Sequence, residues 1–70
     1  MNDNLNNAIR EDIISVCEEI KKEGGDPIKQ LSGYILSEEP IYIPYGKARS
    51  LIHKYDRDDI LAELITHYLK

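Results

Sequence analysis

Pro40 and Pro44 bracket Ile41-Tyr42-Ile43, a run whose composition reads as a β-strand. Each proline biases the residue before it away from the α region and removes a ladder donor. Glu39 to Ile43 is therefore extended or a turn. It is too short to build a sheet, and no second strand exists to pair with it. The rest of the chain shows helical periodicity. The expected fold is all-α: a compact bundle of about four short helices crossed by this apolar strap.

From Ala8 to Glu23, Ile9, Ile13, Val16, Cys17 and Ile20 fall on one face of a helix, widened by Ile14. Glu18 and Lys22 are spaced to pair along it. Gly24-Gly25 ends this helix, and Asp26-Pro27 opens a second with an N-cap and a proline at its first position. Its stripe is Ile28, Leu31 and Ile35, with Leu36 alongside. Gly33, in its middle, points to a close helix crossing, since glycine there costs about 1 kcal/mol against alanine. A third helix is expected over about Gly46 to Tyr55, with Ala48, Leu51, Ile52 and Tyr55 inward. A fourth follows Asp56, with Asp58 and Asp59 at the positive end of its dipole. Residues 1–7 read as a flexible tail and 8–70 as one helical domain.

The fourth helix carries more apolar surface than a small monomer covers: Ile60, Leu61, Leu64, Ile65, Tyr68 and Leu69. A chain of 70 residues, with one cysteine and neither Phe nor Trp, has no intrachain disulfide to compensate for a small core. Self-association is the remaining support. A homodimer through Leu61, Leu64, Ile65 and Tyr68 is therefore expected.

Enzymatic chemistry finds little purchase. Cys17 lies mid-helix on an apolar face, where a thiol is ordinarily a small buried hydrophobe. His53 and His67 stand fourteen residues apart, without metal-ligand spacing. No Gly-rich loop follows a strand, and Glu38-Glu39 and Asp56, Asp58 and Asp59 read as helix-end charges. No catalytic, cofactor-binding or metal-ligating residues are expected. No apolar run approaches the roughly 20 residues of a membrane span. The Asn-rich start lacks a basic region, so no signal peptide is read there, and one free thiol fits the cytoplasm.

The net charge of −4 is uneven: residues 1–40 hold four basic and nine acidic side chains (−5), and residues 41–70 five and four (+1). Lys47, Arg49, Lys54 and Arg57 form a basic patch, suited to an acidic or phosphorylated partner, to the acidic half of a second copy, or to solvent alone. The alternative is a helix-turn-helix-like DNA-binding regulator. Against it, the fourth helix opens on Asp56-Arg57-Asp58-Asp59, which repels phosphates, so nucleic acid is not the expected partner.

From Asp26 onward the residues follow a recognisable order. They are Asp26-Pro27-Ile28-Lys29-Gln30, Gly33-Tyr34-Ile35-Leu36-Ser37, Pro40-Ile41-Tyr42-Ile43-Pro44, Ala48-Arg49-Ser50-Leu51-Ile52, Arg57-Asp58-Asp59-Ile60-Leu61-Ala62-Glu63-Leu64, and Tyr68-Leu69. This resembles the IreB family of small regulatory proteins of Gram-positive bacteria. The family pattern runs close to N-P-I-N-Q-I-x-G-Y-x-L-S-G-D-P-x-Y-I-P, then A-R-N-L-I-R-K and R-D-E-I-I-E-E-L-x-x-x-Y-L. The resemblance implies a non-enzymatic, all-helical homodimer, a negative regulator of cephalosporin resistance downstream of a membrane Ser/Thr kinase that phosphorylates tail threonines. Its protein partners then belong to that kinase pathway. Tyr34, Tyr42, Arg49 and Arg57 are the family-matching residues expected to offer exposed chemistry to them. Two departures stand out. The chain is one residue shorter between Pro44 and Ala48, and residues 1–14 contain no Ser, Thr or Tyr.

Overall fold

A computed structural model describes residues 3–69, which form α1 (Asp3–Lys22), α2 (Pro27–Ser37), a 3-10 turn (Pro40–Tyr42), α3 (Lys47–Ile52) and α4 (Arg57–Leu69). Met1 and Asn2 of the expected tail, and Lys70, lie outside the described residues. Helix α1 begins five residues before the expected Ala8, while α3 is shorter than expected at both ends. Among the described residues there is no β-strand.

Helix α1 is the common wall. Ile9, Ile13, Val16 and Ile20 are all buried along it, and each remaining element adds to the same core. Helix α2 contributes Leu31 and Tyr34, the segment after the 3-10 turn contributes Ile43, α3 contributes Ala48 and Ile52, and α4 contributes Ile60. Cys17, Ile35, Leu51, Tyr55 and Leu64 pack against its margin. The buried stripe of α2 differs from expectation: Ile28 and Leu36 are exposed, and Tyr34 takes the inward position.

The helix ends follow from their sequences. Gly25 N–H donates to the Ile20 carbonyl and Gly24 N–H to the Lys21 carbonyl, both at 2.9 Å, with Gly24 at φ 80°, so the glycine pair closes α1 in a Schellman turn. The Asp26 carboxylate accepts from Ile28 N–H at 3.0 Å and Lys29 N–H at 3.4 Å, capping α2. At the other end, Glu38 is left-handed (φ 64°) and its N–H donates to the Tyr34 carbonyl at 2.7 Å. A side chain is strained in that conformation, which glycine adopts freely. The expected Glu18–Lys22 pair does not form; Lys22 meets Glu19 instead, at 3.2 Å.

The strap is a turn with extended shoulders at Glu39 and Ile43. Its backbone acceptors are met by side chains: Gln30 Nε2 donates to the Tyr42 carbonyl and Arg49 Nε to the Ile43 carbonyl, each at 2.9 Å. Ile43 is fully buried beneath it. The close approach at Gly33 is to the strap and not to another helix, because a Cβ there would stand 2.6 Å from the Tyr42 ring. Gly33 is thus the seat of an aromatic ring.

Gly33→Ala gains helix propensity but must push that ring off α2, with a net loss of about 1 kcal/mol expected. In a Tyr42→Ala background the same change should instead stabilise the chain by up to about 1 kcal/mol. Urea unfolding of the four chains in this double-mutant cycle checks the reversal of sign.

Candidate functional site

Two surfaces carry chemistry. The first is a polar pocket of about 530 Å³ where the end of α2, the strap and the α3–α4 junction meet. Tyr34, Glu38, Pro40, His53, Tyr55, Asp56, Arg57 and Asp58 line it. The Tyr34 and His53 rings are stacked, 6.3 Å between centroids and 25° apart. Burial pushes the Tyr34 hydroxyl above its ordinary pKa; Glu38 adds to this and Arg57 opposes it.

The second is apolar. Ile14 of α1 and Leu61, Ile65, Tyr68 and Leu69 of α4 are exposed. Beside them run two hollows that share Ile13 and Leu64. One lies against α2 between Cys17, Ile28 and Ile35, and the other between Arg10, Ile14, Glu63 and His67. Of the residues expected in a dimer interface, Leu61, Ile65 and Tyr68 therefore stand in the open, at 42%, 49% and 86% exposure, while Leu64 is half-buried at the groove floor.

The four residues expected to meet a partner are engaged within the chain. Tyr34 is 5% exposed and belongs to the core, which corrects its expected exposure. The Tyr42 ring rests on Gly33. Arg49 holds the Ile43 carbonyl and lies over the Tyr45 ring, 5.1 Å from its centroid. Arg57 Nη1 donates to the Ile35 carbonyl at 2.8 Å, closing the last turn of α2, and Arg57 Nε meets Glu38 at 3.2 Å. Lys54 pairs with Asp12 at 2.8 Å. Three of the four cations in the expected basic patch are thereby turned to internal contacts. A partner test that reverses Arg49 would disturb the strap before it reported on binding.

Sequence reasoning missed two charged contacts. Glu63 is 7% exposed within the otherwise apolar face of α4, and Arg10 Nε donates to it at 3.2 Å across the α1–α4 boundary. Asp12 accepts from the Tyr55 hydroxyl at 2.5 Å as well as from Lys54, tying α1 to the α3–α4 junction. An acidic residue out of step with the polar face of its helix is the only signal that could have marked Glu63. Nothing in the spacing marks Asp12, whose partners lie more than forty residues away.

Burial also raises the Cys17 thiol pKa, the reverse of what a thiolate nucleophile requires. Among the described residues, no three His, Cys, Asp or Glu side chains gather in a way that could hold a metal ion. No helix among them is long and apolar enough to cross a membrane. Fold and surfaces together define a small all-α domain with an unpaired apolar face. The family model described as IreB regulatory phosphoprotein matches residues 1–70, and the chain belongs to the IreB family. Membership supports a regulatory role; the family is a regulatory one and not a known enzyme family.

The Asp12 cluster sets a pH dependence. Hydrogen bonds from Lys54 and then Tyr55 hold the Asp12 carboxyl below its ordinary pKa. Its contribution is present above the unfolded value of about 3.9 and lost as pH falls through the lower folded value. Lys54 is raised, chiefly by its bond to Asp12, so its contribution is present below about 10.4 and lost as pH climbs through the folded value. Asp12→Asn should cost no more than about 1 kcal/mol at neutral pH, since Lys54 is solvent-screened. It should also flatten both limbs of a stability–pH profile measured by urea denaturation.

Proposed function

We propose that this chain is a non-enzymatic regulator that works as a homodimer by binding other proteins. The observation that carries this reading is the apolar face of α4, where Leu61, Ile65, Tyr68 and Leu69 lie exposed beside a groove floored by Leu64. A stretch of that kind on a small domain marks a protein-contact surface. The face of a second copy supplies matching apolar residues, and a two-fold pairing of one patch with itself closes the assembly.

The wider setting comes from the family. Its resemblance implies action as a negative regulator of cephalosporin resistance in a Ser/Thr kinase pathway, in the cytoplasm. Residues 1–14 hold no hydroxyl that such a kinase could modify, so in this reading the modified residue is not among them. The first, Ser15, is half-buried on α1, and Thr66 is the single threonine, exposed on α4. In this reading the chain regulates through its contact surface, without a threonine switch in those first residues.

Ile65→Glu tests the interface without emptying the core, since half of Ile65 is already exposed. The wild-type chain is expected to sediment at twice the chain mass at micromolar concentration and the variant at the chain mass, with α-helical circular dichroism retained. In affinity capture from the native cell, proteins held by the wild type and lost with Ile65→Glu define the partners. A wild-type chain that sediments as a monomer at every concentration and captures nothing would sink the reading.

A further inference from the structure

The polar pocket has a feature that the apolar face does not explain. Tyr34 is 5% exposed, yet its hydroxyl has no hydrogen-bond partner among the described residues. No fully buried side-chain nitrogen or oxygen lacks a partner there, so this hydroxyl is not sealed in the core, and Tyr34 is one of the residues that line the pocket. The ring is held in place by burial, while its hydroxyl keeps a free donor and acceptor for a group that enters the hollow.

The charge of the walls states the ligand's sign. Glu38 is answered by Arg57, whose guanidinium is also held by the Ile35 carbonyl. Asp56 and Asp58 have no ion-pair partner among the described residues, and both face the same hollow. The half-charge at the start of α4 offsets only part of these two carboxylates. The His53 and Tyr55 rings complete the lining, and Lys54 Nζ already lies over the Tyr55 ring, 5.6 Å from its centroid, so the two aspartates carry the attraction.

We propose that this pocket receives an arginine or lysine side chain of a partner polypeptide, its cation set against Asp56 and Asp58 and completed by the Tyr34 hydroxyl. The inference deepens the protein-binding reading by giving the partner a chemistry. The source is a polypeptide because Pro40 and His53 also line a second, neighbouring hollow of about 420 Å³, within reach of the same segment. Tyr45, Gly46, Arg49 and Ser50 line that hollow, which is positive where the first is negative. A side chain fills the acidic end while the backbone and neighbouring residues of the same segment run toward Arg49.

The probe is a pair of capped tripeptides, acetyl-Ala-Arg-Ala-amide and the same peptide with neutral citrulline for arginine, titrated into the 15N-labelled chain. The arginine peptide is expected to shift the amides of Tyr34, His53 and Asp58 saturably and about fivefold more tightly than the citrulline peptide, as for a screened surface charge. Asp56→Asn with Asp58→Asn, which keeps a good cap at Asp56, should weaken the arginine peptide by about the same factor. Tyr34→Phe, which keeps the ring, should weaken both peptides. Unperturbed amides elsewhere confirm that each variant is folded. Equal binding of the two peptides, or wild-type affinity in the double variant, would overturn the proposal. So would a wild-type dimer that dissociates as the arginine peptide is added, since the occupant would then be a second copy. Ile65→Glu leaves this pocket untouched, so the α4 interface and the pocket fail separately.

Discussion

Everything in the fold leans on one face of α1. Ile9, Ile13, Val16 and Ile20 supply a continuous apolar wall, and each of the other elements is too short to stand without it. Helix α3 has only six residues, fewer than an isolated helix needs to persist in water. Its order comes from Ala48 and Ile52 sunk into the shared core and from Asp12, which fixes Lys54 and Tyr55 just beyond its end. At the N-terminal end of this wall Arg10 meets Glu63 of α4.

With so little apolar mass, the chain uses cations as structural fasteners. Arg57 ends α2, Arg49 holds the strap, and Lys54 joins α1 to the α3–α4 junction. A guanidinium suits this work because it donates several hydrogen bonds in a fixed plane, so one residue reaches a carbonyl and a carboxylate or ring together. The same economy explains Glu38. Its left-handed backbone is strained, and its carboxylate returns a contact to the arginine that closes the helix it terminates.

Local chemistry was legible in the sequence and long-range pairing was not. The proline bracket, the Gly24-Gly25 stop and the Asp26-Pro27 start each act within a few residues, and each appears as read. The apolar excess of α4 was likewise visible from spacing alone. The contacts of Arg49 and Arg57 are not legible, because a guanidinium carries no mark of whether a distant carbonyl awaits it, and the burial of the Tyr34 ring depends on the packing of α2 against α1. Gly33 was read as a helix crossing because composition says that something comes close, without saying whether it is a backbone or a ring. The polar pocket was beyond reach for the same reason: its walls come from α2, the strap, and both sides of the α3–α4 junction.

The last five helical residues of α4 stand apart from the core. From Ile65 to Leu69 every residue is exposed, and none belongs to the core, so this stretch depends heavily on its own backbone bonds. Short helical stretches without packing melt readily in water. Whatever covers this face therefore also sets how far α4 remains wound, and the helix works as a ruler whose reading depends on its occupancy. Holding such an end in place takes part of the binding free energy, so contacts made there are weaker than their area suggests.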